Sequence, residues 1–159
     1  MNDFKEIELF GNHLKVFENG KVLVKRHYND EYYEKKTTTC KIKGYIRICL
    51  SKDSKQRRYS IHRLVAYAFL NLDLENPKSQ VDHQDRNTSN NNLSNLRIVT
   101  QQENQFNTKA KGYTWHKQSN KWQSQIKLNG KNIHLGRFEK EEDARQSYLV
   151  AKEKYHIIQ

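Results

Sequence analysis

The stretch from residue 81 to 104, VDHQDRNTSNNNLSNLRIVTQQEN, constrains the fold of this chain more than any other. Its middle is crowded with asparagine, which favours loops because its side chain bonds nearby backbone and tolerates left-handed conformations. Gln80–His83 and Leu96–Val99 flank that loop and are predicted as two short strands. Thr100 and Glu103 have the spacing of a capping box, which predicts a helix from about the next residue onward. The predicted order is strand, long loop, strand and helix.

The residues before this stretch predict β-strands and one helix. HLKVFENGKVLVK alternates apolar and polar residues around Asn19-Gly20, which indicates a hairpin, and GYIRICLSKDSKQRRYSIH indicates two more strands around a polar turn at Lys52–Gln56. From Ile61 the apolar spacing becomes helical, so a short amphipathic helix is predicted there. Pro77 follows this helix and is expected to end the pattern.

The residues after the stretch form a separate predicted unit. A linker is expected in NTKAKG, which divides the chain into residues 1–108 and 109–159. The second part predicts three short strands, with turns at Gln118–Asn120 and Asn129-Gly130, and then a helix over about Lys140–Tyr155. Three residues of that helix fall on one face: Ala144, Tyr148 and Ala151.

The composition indicates a polyanionic partner. The net charge is +11 over 159 residues, which favours nucleic acid first and an anionic membrane second. No apolar run approaches the roughly 20 residues of a membrane span, and the N-terminus lacks the apolar core of a signal peptide. Cys40 and Cys49 form neither a zinc-type pair nor a dense disulfide framework, so we expect no zinc and a reducing, cytosolic setting.

Asp82, His83 and Asn104 suit the hydrolysis of a phosphodiester bond. That reaction needs a base to activate water, for which histidine has a suitable pKa, and a hard cation to neutralise the phosphate. Mg²⁺ prefers oxygen ligands and keeps several waters, so the side-chain oxygens of Asp82 and Asn104 suffice. Asn95 is expected either to lock the loop or to orient the imidazole. The alternative is a polar loop with a structural histidine.

These residues occur in a pattern that resembles the HNH nucleases with the ββα-metal fold, and in particular the homing endonucleases of mobile and phage elements. The matching segments cover about residues 44 to 107: HRLVAYAF at 62–69, DHQD at 82–85, NNN at 90–92, NL at 95–96 and TQQEN at 100–104. The resemblance implies His83 as general base, Asp82 and Asn104 as ligands of Mg²⁺ or Mn²⁺, and Asn95 as the residue that positions the loop. His62 opens a helix among apolar residues and is interpreted as structural.

The C-terminal part resembles the plant ethylene-response-factor (APETALA) type of DNA-binding domain. The shared pattern lies between Gly112 and Ala151: G-x-x-W, KW-x-x-x-I-x-x-x-GK-x-x-x-LG-x-F and EE-x-A-x-x-x-Y-x-x-A. It implies a three-stranded sheet that contacts duplex DNA through Lys117, Gln125, Lys127, His134 and Arg137. A basic cluster earlier in the chain, including Arg57 and Arg58, is expected to contact the DNA backbone.

Together these features predict an α+β protein. A β-rich N-terminal region leads into a ββα-metal core, and a small three-stranded antiparallel sheet packed on one helix follows. The expected function is a site-directed DNA endonuclease that nicks double-stranded DNA as a monomer, with a dimer as the alternative, in the cytoplasm of a bacterial or phage-infected cell. The rival functions are a non-catalytic sequence-specific DNA-binding protein and a nuclease directed at RNA or at nucleic-acid structure.

Overall fold

Two compact units make up the chain, which is described here by a computed structural model covering residues 3–26 and 28–157. They divide after Gln101, earlier than the predicted boundary after residue 108. Strands predominate and helices are few, which confirms the predicted mixed class.

The first sheet of the first unit is a four-stranded antiparallel meander in the order β1-β2-β3-β4. Alternation buries one face of it: Leu14, Val16, Val22 and Val24 are all at most 4% exposed. The predicted Asn19-Gly20 turn joins the second and third strands. The strands are β1 (Phe4–Leu9), β2 (Asn12–Phe17), β3 (Val22–Lys25) and β4 (Tyr32–Glu34).

A second antiparallel sheet, in the order β5-β6-β7, leads into the first helix. Helix α1 packs against both sheets with a buried apolar stripe that includes Leu64 and Val65. It ends at Asn71, whose φ of 58° is left-handed, so the helix stops before Pro77 is reached. The elements are β5 (Thr38–Thr39), β6 (Ile46–Lys52), β7 (Lys55–Ser60) and α1 (Ile61–Leu70).

The asparagine-rich stretch folds in the predicted order. Strands β8 (Gln80–His83) and β9 (Leu96–Val99) form an antiparallel pair, and a short 3₁₀ turn at Leu93–Asn95 ends the loop between them. Helix α2 (Gln101–Phe106) follows directly. The division between the two units falls within this helix.

The second unit contains a three-stranded antiparallel sheet in the order β10-β11-β12, with a helix packed on it. The helix buries the three predicted residues, Ala144, Tyr148 and Ala151, against a core that includes Ile126. The elements are β10 (Tyr113–His116), β11 (Lys121–Leu128), β12 (Lys131–Phe138) and α3 (Glu141–Tyr155). Within the described ranges, no helix is both long and apolar enough to cross a bilayer.

Candidate active site

Asp82 and His83 end strand β8, where the β8–β9 hairpin meets helix α1. Asp82 is 6% exposed and His83 is 4% exposed. Two polar side chains buried at one strand end are unusual, because burial of a polar group is unfavourable unless it is hydrogen-bonded. The contacts of each side chain therefore indicate what it can do.

Asn91 fixes the proton of His83. The Nε2 atom of His83 lies 3.3 Å from Oδ1 of Asn91, and Nδ2 of Asn91 donates to the carbonyl of Ser89 at 3.3 Å. That second bond assigns the amide orientation, so the oxygen faces the imidazole. Since an amide oxygen only accepts, this orientation assigns the tautomer in which Nε2 of His83 carries the proton.

Asn95 locks the loop. Its Nδ2 donates to the Asn90 carbonyl at 2.8 Å and to Oδ1 of Asp85 at 2.9 Å. Its Oδ1 accepts from the Asp85 backbone N–H at 3.0 Å. The loop-locking alternative for Asn95 therefore matches the bonds that the structure shows, while the bond to the imidazole comes from Asn91.

The loop is also held from outside by two turns of the N-terminal sheets. The Leu93 N–H donates to the Glu18 carbonyl at 2.7 Å. A Cβ placed on Gly20 would lie 2.8 Å from Cβ of Asn91, and one placed on Gly44 would lie 2.8 Å from Oγ1 of Thr88. Both turns thus approach the loop more closely than a side chain would allow.

Three rings meet beside the loop. The His62 ring centroid lies 4.7 Å from that of Tyr45 and 4.9 Å from that of His83, and Tyr45 stacks on His83 at 5.9 Å. Burial lowers the pKa of His62 to about 3, and the nearby charges of His83, Arg63 and Arg47 act in the same direction. His62 is therefore neutral at physiological pH.

Asp82 forms an ion pair with Arg97, the residue directly opposite it on β9. Nε and Nη2 of Arg97 both donate to Oδ2 of Asp82, at 2.9 and 2.6 Å. The side chain of Asp82 is 7% exposed and that of Arg97 is 30% exposed, so the two hydrogen bonds hold the carboxylate in one orientation.

Asn104, the second predicted metal ligand, lies in helix α2 and belongs to the second compact unit. Among the described residues, no three His, Cys, Asp or Glu side chains are grouped closely enough to hold a metal. The predicted donor set is different, because it consists of one carboxylate and one amide oxygen. Such hard oxygen donors fit Mg²⁺ or Mn²⁺, which retain water ligands.

Arg57 and Arg58 lie on β7 and are exposed. Together with Arg63 they line a cavity of about 320 Å³, whose acidic lining residue is Glu75. The guanidinium of Arg57 also lies 5.0 Å from the Phe10 ring centroid. Arg63 donates to the carbonyls of Ser79 and Leu74, so Arg57 and Arg58 are the arginines better suited to phosphate oxygens.

The remaining predicted DNA contacts lie in the second unit. On the paired strands β11 and β12, Gln125 lies opposite His134. The neighbouring β11 residues on the same side are Gln123, which lies opposite Arg137, and Lys127, which lies opposite Asn132. Paired residues project from the same side of a sheet, and this side is opposite to the buried Ser124 and Ile126. Lys117 lies in the exposed turn between β10 and β11. Of the predicted residues, Gln125, Lys127, His134 and Arg137 therefore share one polar face of the sheet.

The segment from Tyr59 to Phe106 contains the hairpin, the loop and the flanking helices. Residues 59–106 match the HNH endonuclease family model. This confirms the resemblance predicted for this segment, which we call the HNH segment.

Two known relatives and one solved structure share this similarity. The "Uncharacterized HNH endonuclease L245" of Acanthamoeba polyphaga mimivirus is 37% identical over 76 residues, which are 45% of this chain and 22% of that protein. The "DNA endonuclease I-HmuI" of Bacillus phage SP01 is 35% identical over 114 residues, which are 69% of this chain and 59% of that protein. A solved structure, "DNA binding and cleavage by the HNH homing endonuclease I-HmuI", matches with a TM-score of 0.50 and 32% identity, over 65% of this chain and 56% of that one. The chain thus spans between about a fifth and three fifths of these relatives.

Proposed function

We propose that this protein is a DNA endonuclease in which His83 is the general base. The observation that supports this most directly is the contact between His83 and Asn91, because an Nε2–H that donates to the amide oxygen is consistent with Nδ1 as the atom that accepts the proton. In the proposed reaction Nδ1 takes a proton from water and the resulting hydroxide attacks the scissile phosphorus. The bond between phosphorus and the 3′ oxygen breaks, and the departing 3′ oxygen takes up a proton. The products would carry 5′-phosphate and 3′-hydroxyl ends.

Asp82 and Asn104 are the proposed ligands of Mg²⁺ or Mn²⁺. A bound divalent cation neutralises charge on the phosphate. The two hydrogen bonds from Arg97 to Oδ2 of Asp82 support this role, because they orient the carboxylate. Arg97 also offsets the negative charge of Asp82, and Asn104 is a neutral donor, so we expect the metal to bind weakly without DNA.

The polar face of β11 and β12 is the proposed DNA-reading surface, as in the plant domains that the C-terminal part resembles. A β-ribbon fits the major groove. Gln125 suits adenine, whereas Lys127 and His134 give less directional contacts. The arginine-lined cavity of the first unit would add contacts to the phosphate backbone. One core per chain cuts one strand, so a monomer is proposed to nick.

A second candidate is a sequence-specific DNA-binding protein that does not cut. One observation favours it: His83 is only 4% exposed, so its access to water is restricted. A general base must come within hydrogen-bond reach of the water it activates. In the endonuclease, water must therefore reach His83 when DNA is bound.

The two candidates are distinguished on supercoiled plasmid that carries candidate target DNA. The wild type with Mg²⁺ is compared with a chelator control, with His83→Ala, and with His13→Ala as a matched loss of a histidine outside the site. Nicked circles from wild type and His13→Ala alone support the endonuclease. Bound but uncut DNA in every lane supports the binding protein, and equal cutting by His83→Ala refutes the role of His83.

Competition with duplex RNA at raised salt tests the partner. Charge contacts alone are weakened by salt on either nucleic acid. Binding that persists for duplex DNA and is lost for RNA supports a DNA partner, and the opposite order would support the RNA-directed rival.

A further inference from the structure

His62 occupies the first turn of α1, in a row of buried apolar residues. Its neighbours Ile61, Leu64 and Val65 are at most 2% exposed, and His62 itself is 5% exposed. Within the described residues, its Nδ1 atom has no hydrogen-bond partner. A leucine or phenylalanine would fill this space without burying an unpartnered nitrogen, so packing alone does not explain a histidine here.

The contacts of His62 lie on the side of the proposed base. Its ring touches the rings of Tyr45 and His83, which also stack on each other at 20° between planes. These rings come from three places that are distant in sequence: the residue before β6, the start of α1 and the end of β8. The imidazole of His83 is therefore in contact with two rings in addition to Asn91.

Asn91 and the rings restrict different motions of His83. A hydrogen bond at Nε2 fixes the direction of one N–H and leaves the ring able to tilt about that bond. Ring contacts restrict the tilt, because aromatic neighbours at these distances pack in preferred planes. Only the two together fix the direction in which the Nδ1 lone pair points.

We propose that His62 is a positioning residue for His83, which holds the imidazole plane so that Nδ1 faces the water it deprotonates. This inference rests on the proposed endonuclease function. The lowered pKa of His62 agrees with it, since a neutral ring adds no positive charge beside the base. His62 does not exchange a proton in this scheme, and it acts only through the geometry of its neighbour.

Two substitutions distinguish the effect of the His62 ring from the effect of its volume. His62→Phe keeps a planar ring, and His62→Leu fills similar space without one. Misplacement of a reacting group by about 1 Å costs on the order of a hundredfold in rate. We expect His62→Leu to lower kcat for plasmid nicking by roughly tenfold to a hundredfold with KM nearly unchanged, and His62→Phe to retain most of kcat. Leu64→Ala, on the same helix, is the control for lost core packing.

A second measurement does not depend on cleavage. Nitrogen-15 NMR of the His83 ring reports its tautomer, and the ring-proton shifts report the neighbouring rings. His62→Leu should shift these signals and broaden them, whereas His62→Phe and Leu64→Ala should leave the Nε2-protonated form dominant. If His62→Leu does not fold, Tyr45→Leu removes the other ring and should disturb the same signals.

The outcomes are distinct for the two proposals. Unchanged His83 signals and unchanged kcat in His62→Leu would overturn the positioning role. Equal impairment of His62→Phe and His62→Leu would overturn it as well, since the ring plane would then not be what matters. A wild type that never cuts would refute the endonuclease and the catalytic part of this proposal. His83 signals that change in His62→Leu and not in His62→Phe would then still show that the His62 ring holds the His83 ring.

Discussion

Replacing Gly20 with alanine tests whether the N-terminal hairpin holds the loop that orients His83. Gly20 follows Asn19 in the β2–β3 turn, and its φ of +85° is left-handed. A Cβ there would lie 2.8 Å from Cβ of Asn91 and 3.2 Å from its carbonyl oxygen. The chain offers a matched control in Gly130, which follows Asn129 and has a φ of +77°. Among the described residues, a Cβ on Gly130 would meet nothing within 4 Å.

Both variants strain a left-handed backbone, and only Gly20→Ala also creates a steric clash. A non-glycine residue in the left-handed region costs about 1 kcal/mol or slightly more, and this applies to both. Forcing a methyl group into an occupied space adds about 1 to 3 kcal/mol, and this applies to Gly20 alone. We therefore expect Gly130→Ala to lower the free energy of unfolding by about 1 kcal/mol and Gly20→Ala to lower it by about 2 to 4 kcal/mol.

Urea unfolding measures both losses. Trp115 and Trp122 lie in the second unit, so their fluorescence follows Gly130→Ala, while amide signals of the first unit follow Gly20→Ala. NMR of the His83 ring should also change in Gly20→Ala, since the clash displaces Asn91. An equal loss in both variants would refute the close packing of this turn. A larger loss of unfolding free energy in Gly20→Ala with unchanged His83 signals would refute the idea that the Gly20 turn orients His83 by packing on Asn91.

Four further perturbations follow from the site. Asn95→Ala removes the partner of two backbone groups in the loop and should cost about 2 to 4 kcal/mol in urea unfolding, with a cost below about 0.5 kcal/mol arguing against a locked loop. Arg97→Gln leaves its buried carboxylate partner with less compensation; because the arginine is 30% exposed, we expect about 1 to 3 kcal/mol, below the full cost of breaking a buried pair. Hydrogen bonds, that from the Asn90 side chain first, lower the pKa of Asp85. The stabilisation that ionised Asp85 gives the loop is thus fully present above the unfolded pKa of about 3.9, and it declines as the pH falls through the lowered folded pKa. An NMR titration of the loop amides should show this loss, and amide signals that stay constant over that range would contradict it. Arg137→Ala should weaken DNA binding and reduce the salt slope by about 1, and an unchanged slope would remove it from the interface.

Local patterns predicted the elements around the site because those elements are determined locally. The strands at Gln80–His83 and Leu96–Val99 form over the predicted residues, since alternation and the asparagine-rich loop both act within a few positions. The buried face of α3 follows from helical spacing in the same way. The end of α1 shows the limit of a local rule, because left-handed Asn71 terminates the helix before Pro77 does.

The contacts inside the site depend on tertiary structure and were not predicted. Choosing Asn91 over Asn95 as the partner of His83 requires the loop conformation, since five asparagines lie between residues 87 and 95. The contact of Tyr45 with His83 requires the residue that precedes β6 to lie beside the end of β8. The pairing of Asp82 with Arg97 could be predicted from the sequence in part, because aligning the two predicted strands end to end places Arg97 opposite Asp82.

The division of the chain inside helix α2 has a consequence for engineering. Phe106 is 7% exposed and stacks on His156 at 4.0 Å, and Gln102 bonds Asn129 at 2.7 Å. The last residues of the HNH segment therefore also pack within the second unit. A chimera that replaces the chain after residue 108 would leave Phe106 without its stacking partner. A junction before Gln102 would keep the module intact and carry Asn104 along with it, so a swap of binding specificity would also be a swap of a proposed metal ligand.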